Sequence, residues 1–177
     1  IGTSKLNSNV ISDIVKGLSS GCRTANMALI GGETAVLPGI YHGNDYDLVG
    51  FIVGTVNRNH LISPDKTSEG DMLIALPSSG LHTNGYSFVR SIFDIDNNPS
   101  VLKDVVPGTS SSLGELLLVP HRSYYDTFGQ HLKIINGLSH ITGGSFYKNV
   151  PRVLSDGITA EIDISSWKIP PLFKFIQ

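Results

Sequence analysis

Cysteine is nearly absent: Cys22 stands alone among 177 residues. An intrachain disulfide is therefore excluded, and the composition fits a reducing compartment. Charge is sparse, at 16% of residues with a net charge of −2. No block of Lys or Arg interrupts the chain, so nothing points to nucleic acid or to an anionic membrane surface. Long hydrophobic runs are missing too. The two longest, around residues 49–56 and 116–119, fall far short of the roughly 20 residues a membrane span needs. No signal peptide is visible, which makes the cytoplasm the default expectation. Histidines number six, but no pair has the helical spacing of a zinc motif and Cys22 has no partner, which argues against zinc. The Gly-Lys-Ser/Thr ending of a P-loop, the Gly-x-Gly-x-x-Gly dinucleotide fingerprint and the Gly-x-Ser-x-Gly elbow of serine hydrolases are all absent. No internal repeat or low-complexity tract stands out.

What remains is the composition of a soluble globular protein, 40% apolar with mean hydropathy near zero. The length suits one good core or parts of two domains. The chain starts at Ile1 without a methionine and stops at Gln177 inside the apolar pattern of residues 172–176. Both ends read as those of a fragment.

Asn7 or Ser8 is placed to cap a first helix whose apolar positions include Val10, Ile11, Ile14, Val15 and Leu18, ending near residues 21–26. Residues 27–30 read as a short buried strand. Pro38, Gly39, Gly43 and Asn44 mark a long loop, and the apolar stretch 46–56 reads as a strand buried on both faces. Residues 64–70 are polar and turn-rich, the expected linker between a first domain at 1–63 and a second at 71–177. Residues 71–76 form another apolar run, and Tyr86, Phe88, Val89 and Ile92 then recur at helical spacing. Residues 94–114, with two prolines and a serine run, read as a surface excursion. Pro120 is expected to open a helix through Ile134 or Ile135. A short strand at 138–141, a helix through about Val153, a half-buried strand at 158–164 and a last helix after Pro170-Pro171 complete the pattern. The alternation of strands and helices gives an α+β (mixed α/β) class.

Three junctions recur in which glycines and small polar residues follow a predicted strand. They are Gly31-Gly32-Glu33-Thr34, Ser79-Gly80-Leu81-His82-Thr83-Asn84-Gly85 and His140-Ile141-Thr142-Gly143-Gly144. Each exposes backbone N–H groups at the end of a strand, where α/β folds gather ligands and where phosphate is held. Repeated turn chemistry is the plainer alternative. His82 and Asn84 add side-chain donors, and His82 can serve as acid, base or electrostatic helper. Glu33, set after two glycines, is a candidate contact to a hard cation or a nucleotide. Asp45 and Asp47 read as solvated loop charges.

The longer strings carry a resemblance. Gly31-Gly32-Glu33-Thr34-Ala35-Val36-Leu37-Pro38-Gly39-Ile40-Tyr41-His42-Gly43, Ser78 through Ser87, and His140 through Leu154 resemble, in order and in spacing, three segments of the aminoimidazole ribonucleotide synthetases, also called phosphoribosylformylglycinamidine cyclo-ligases. Thr83 stands where those enzymes usually have serine, and Ser145 where they have a third glycine. The resemblance implies the end of an N-terminal α/β, ATP-binding and dimer-forming domain followed by most of a C-terminal α/β domain. The family's early Asp-Gly-Val-Gly-Thr-Lys motif and final elements would be missing, so the isolated fragment is expected to be inactive.

The implied activity closes the imidazole ring of purines: formylglycinamidine ribonucleotide and ATP give aminoimidazole ribonucleotide, ADP and phosphate. The implied roles place His82 as a catalytic group. Ser79, Gly80, His82 again, Thr83, Asn84, Gly85, His140, Thr142, Gly143 and Gly144 would be substrate or phosphate ligands. Gly31, Gly32, Glu33 and Thr34 would lie on the ATP side, with Glu33 towards Mg²⁺. The implied partners are the two substrates and a second copy of the chain, with no nucleic acid and no membrane. Sister ATP-using enzymes (formylglycinamidine ribonucleotide synthetase, thiamine-monophosphate kinase, selenophosphate synthetase) and a non-catalytic dimerisation or binding module are the alternatives.

Overall fold

The computed structural model describes residues 1–177. Helices and 3₁₀ turns are combined with one small sheet, an α+β class, and no helix is long and apolar enough to cross a membrane. The chain divides into two compact units. One comprises Ile1–Leu61 with Ser123–Lys133, the other Ile62–Arg122 with Ile134–Gln177.

In the first unit the expected opening helix forms as α1, Ser8–Thr24. Asn7 is its cap: the side-chain oxygen accepts the N–H groups of Asn9 and Val10 at 3.2 and 3.4 Å, satisfying donors that a helix start leaves without partners. The sheet holds β1 (Gly2–Thr3), β2 (Ala35–Val36) and β3 (Tyr46–Asp47) in the order β2-β1-β3, with β1 parallel to β2 and antiparallel to β3. Thr3 is buried, and its hydroxyl donates to the carbonyls of Lys5 and Asp45 at 3.0 and 3.3 Å. A two-residue central strand leaves no alternation to read, so β1 has no signature in the local residue pattern.

The longer predicted strands do not form ladders. Of the expected strand at 46–56 only Tyr46–Asp47 pairs, and Val49, Phe51 and Val53 are 89%, 91% and 78% exposed rather than buried on both faces. Residues 27–30, 71–76, 138–141 and 158–164 likewise run outside any sheet, with Ile30, Met72 and Ile74 exposed. An apolar run encodes the wish to be buried, but a strand exists only where a second segment takes up its N–H and C=O groups. That partner is not encoded locally.

The second unit has the better core. Val89, Val106, Leu113, Leu117 and Leu172 are buried together, with Leu81, Tyr86, Phe93, Ile95, Val101 and Leu102 among the residues packed around them. Val89 comes from α2 (Tyr86–Ile92), Leu113 and Leu117 from α3 (Leu113–Leu117), and Leu172 from the C-terminal helix Pro171–Ile176, which starts on Pro171 as expected. Val106 and Leu113 belong to the stretch read as a surface excursion, and they are among the most buried residues of the chain. The reason is local. Val106 N–H donates to the Ser111 carbonyl at 3.0 Å and the Thr109 hydroxyl to the Val106 carbonyl at 2.8 Å. This turn lets polar residues face water while its one large apolar side chain turns inward. Ser112 and Glu115 then cap α3 reciprocally.

The helix expected from Pro120 begins late. In the first unit α4 is Tyr125–Phe128, continued by a 3₁₀ turn at Gly129–Ile134, while residues 120–124 are not helical. The helix expected after Gly144 does form, as α5, Ser145–Asn149, with a 3₁₀ turn to Val153. Ser155 links back to Thr67: its N–H donates to Thr67 Oγ1 at 2.8 Å and its hydroxyl reaches the Thr67 carbonyl at 2.8 Å.

Leu113→Ala is expected to cost about 2–5 kcal/mol, the range for emptying a packed core position. Leu118→Ala, at a side chain 82% exposed, should change stability by less than about 0.5 kcal/mol. Chemical denaturation of the two variants measures the contrast, and equal losses would refute this core.

Candidate active site

The loop between residues 76 and 86 is short of regular structure but not of constraints. Gly80 and Gly85 have φ of +154° and +80°, and His82 and Thr83 have φ of +53° and +67°. Left-handed backbone suits Gly85, which caps α2, but for a β-branched residue such as Thr83 it is strained. What holds it is hydrogen bonding within the loop. Asn84 N–H donates to the Leu81 carbonyl at 3.1 Å, and Asn84 Nδ2 donates to the His82 carbonyl at 3.1 Å. The Thr83 hydroxyl donates to that same carbonyl.

The side chain of His82 turns back over the loop. Ser79 N–H donates to His82 Nε2 at 2.7 Å. A backbone N–H can only donate, so this nitrogen carries no proton and the neutral ring is protonated on Nδ1. Ser79 Oγ lies 2.8 Å from the same nitrogen and 2.9 Å from the Pro120 carbonyl, to which it donates. One hydroxyl proton thus has two acceptors in reach. The His121 ring stacks on His82 with centroids 4.0 Å apart and planes 17° apart, and His140 lies 5.9 Å from His121. His82 titrates below the ordinary 6.5, first because its half-buried ring is desolvated, then because His121, His140 and Arg122 add positive charge around it.

The third junction belongs to the same unit. Gly144 and Ser145 have φ of +96° and +55°, and the buried Asn149 closes the loop, its Nδ2 donating to the Ser145 carbonyl at 2.8 Å and the Thr142 carbonyl at 3.4 Å. Thr142 Oγ1 donates to Asn149 Oδ1 at 3.4 Å. A side chain at Gly143 would meet nothing within 4 Å, so this backbone is open to close approach. The strain at Ser145 explains what a third glycine does at this position.

The first junction lies in the other unit. Glu33 is exposed there, Gly31 and Gly32 have open space around them, and Thr34 leads into β2. No three His, Cys, Asp or Glu side chains gather to hold a metal ion anywhere in the chain. Glu33 offers one carboxylate, whereas Mg²⁺ takes octahedral oxygen coordination. The residues present therefore do not make a Mg²⁺ site by themselves.

Of the residues singled out by sequence, the structure assembles Ser79, Gly80, His82, Thr83, Asn84 and Gly85 in one hydrogen-bonded loop, and ties Thr142, Gly143 and Gly144 into a second. His140 lies near both His121 and His82. Pro120, His121 and Arg122 were missed, because proline followed by polar residues reads as a helix start. The signal that could have found them is a His-Arg pair directly after the apolar run 116–119.

Comparison with known proteins gives the family. Residues 68–177 match the family described as AIR synthase related protein, C-terminal domain, and residues 1–56 its N-terminal counterpart. The chain belongs to the AIR synthase related family. It is 46% identical over its whole length to a phosphoribosylformylglycinamidine cyclo-ligase of Caldicellulosiruptor bescii, 49% identical over 99% of its length to that of Thermoanaerobacter pseudethanolicus, and 44% identical over its whole length to that of Latilactobacillus sakei. It spans 52% of each of those proteins, about half their length.

Two outcomes follow from this geometry. Ser145→Gly should stabilise the protein by about 0.5–1 kcal/mol, the relief of about 1–2 kcal/mol of left-handed strain less the entropy of an added glycine; an unchanged or lowered unfolding free energy would contradict the strained loop. For His82, the folded ring resists protonation while the unfolded ring takes a proton at about 6.5. The unfolded state then binds more protons as pH falls below that value, so stability drops on acidification and is unaffected above it. The loss in melting temperature between pH 7.5 and 5.5 is expected to be smaller in His82→Gln than in the native protein.

Proposed function

We propose that this chain carries part of the machinery that closes the imidazole ring of formylglycinamidine ribonucleotide with ATP, giving aminoimidazole ribonucleotide, ADP and phosphate. The observation that carries the reading is the match to relatives bearing the cyclo-ligase name across the entire chain, joined to loops whose glycines, hydroxyls and neutral histidine suit a phosphorylated ligand. In the proposed course the formamide oxygen attacks the γ-phosphorus and ADP leaves. A nitrogen of the same substrate then attacks the activated carbon, the C–O bond breaks, phosphate departs and the nitrogen loses its proton. Such chemistry asks the protein for positioning and charge stabilisation.

Ser79, Thr83, Asn84 and the Gly80 and Gly85 backbone are proposed to grip phosphate, with His82 beside them as the group that holds or accepts a proton. His140, Thr142, Gly143 and Gly144 would line the same cleft. Helix α2 has only seven residues, so its dipole contributes little and the loop's own donors must do most of the holding. Gly31, Gly32, Glu33 and Thr34 are assigned to the nucleotide, with Mg²⁺ arriving as part of Mg–ATP and Glu33 adding one oxygen to it. A cytoplasmic homodimer belongs to the same reading, supported by the apolar residues Val49, Phe51, Ile52 and Val53, all at least 74% exposed, which suit burial against a second copy.

The test is ADP release by the complete gene product that contains these residues, with formylglycinamidine ribonucleotide added and withheld. Release that depends on this substrate is the expected result. No release from folded protein would favour a sister kinase or a binding module. The 177-residue chain alone is expected to show no turnover.

A further inference from the structure

A proton-handling role for His82 requires that its ring be kept in place. The His82 backbone is left-handed, and so is that of its neighbour Thr83. One edge of the ring is fixed, since Nε2 accepts the Ser79 N–H at 2.7 Å. The Ser79 N–H and hydroxyl both meet the ring at this one nitrogen. What covers its face is His121, parallel within 17° at 4.0 Å, in the offset-stack range for aromatic rings. The adjoining Pro120 carbonyl takes the Ser79 hydroxyl at 2.9 Å. Residues 120 and 121 therefore constrain both members of the Ser79–His82 pair.

We propose that His121 is a positioning residue for the ring-closing reaction, its stacked ring holding the His82 imidazole with Nε2 towards Ser79. This inference rests on the assignment of His82 to that reaction. The consequence is chemical. With His82 neutral, the Ser79 N–H is engaged and its hydroxyl proton can pass between Nε2 and the Pro120 carbonyl. With His82 protonated, Nε2–H would donate to Ser79 Oγ and the Ser79 N–H would lose its acceptor. The charged or titratable groups around the ring are His121 and Arg122 from the 120–122 segment and His140 from the segment before Thr142, and all of them oppose that protonation. Removing the His121 ring would both re-expose His82 to water and take away one of these groups. Both changes raise the His82 titration towards 6.5.

The experiment follows the histidine ring nitrogens by ¹⁵N NMR across pH in the complete gene product, with the His82 signals assigned by their loss in His82→Gln. In His121→Ala, His82 is expected to titrate at higher pH and to lose its preference for the Nδ1-protonated form. In His121→Phe, which keeps a stacked ring, that preference should survive. Turnover, read as substrate-dependent ADP release, should fall on the order of tenfold or more in kcat for His121→Ala with a much smaller change in KM, and His121→Phe should recover most of the loss. His82 signals identical in native and His121→Ala protein would overturn the proposal whatever the turnover. Equal losses in the alanine and phenylalanine variants would overturn it too, since stacking would then not be what matters. A displaced His82 signal with unchanged turnover would instead remove His82 from the reaction, and the positioning role with it.

Discussion

The buried cluster that gathers α2, α3 and the C-terminal helix is what the rest of the second unit depends on. Val89 and Leu117 are buried in one cluster, and the Tyr86 hydroxyl donates to the Leu117 carbonyl at 2.7 Å. Tyr86 directly follows the Ser79–Gly85 loop, and Leu117 stands three residues before Pro120. Once that pair is locked, the start of α2 and the exit of α3 are neighbours, and so are whatever residues precede the one and follow the other. Ser79 meets Pro120 and His82 meets His121 for this reason. The site is a by-product of a helix–helix contact that buries apolar surface, which is the larger energy: each fully buried aliphatic side chain contributes roughly 1.5–3 kcal/mol, against roughly 0.5–1.5 for a net hydrogen bond.

That ordering also explains how the loop tolerates strain. Left-handed His82 and Thr83 cost of order 1–3 kcal/mol each. Hydrogen bonds inside the loop, from Asn84 and Thr83 to the His82 carbonyl, offset part of this. The remainder is carried by the core on the far side of Tyr86. The same device recurs at the second loop, where buried Asn149 clamps the carbonyls of residues 142 and 145 across left-handed Gly144 and Ser145.

The loops were legible in the sequence because their chemistry is local. Glycine, serine, threonine and asparagine at close spacing announce a turn with exposed donors, and the structure brings those residues of the second and third junctions into two bonded loops. Helices α1, α2 and α5 and the one after Pro170 were legible for the same reason, their caps and periodicities being contained within a few turns. The core of the second unit was not. Val106 and Leu113 sit among polar neighbours in a stretch whose average character is that of a surface, and only the turn closed by Thr109 reveals that a few apolar side chains are gathered inward. His121 was hidden by Pro120, whose ordinary meaning is a helix start. The predicted strands erred the other way, because an apolar pattern states a demand for burial without naming the segment that would meet it.

The site is built of loops that bond to themselves. Its polar groups are already matched to one another: Ser79 N–H to His82, Ser79 hydroxyl to Pro120, Asn84 to the His82 carbonyl, Thr142 to Asn149. No buried side-chain nitrogen or oxygen lacks a partner. A phosphate that engages these particular groups has to exchange for the bonds in place. Exchange costs little where the outgoing partner is another group of the same loop that water or a neighbour can satisfy, as the Ser79 hydroxyl shows by having two acceptors. It costs more where the donor is a backbone N–H with a single partner, as at Ser79 and His82. At Ser79 the exchange is therefore governed by how readily His82 gives up the N–H, and that in turn by whatever fixes the plane of its ring.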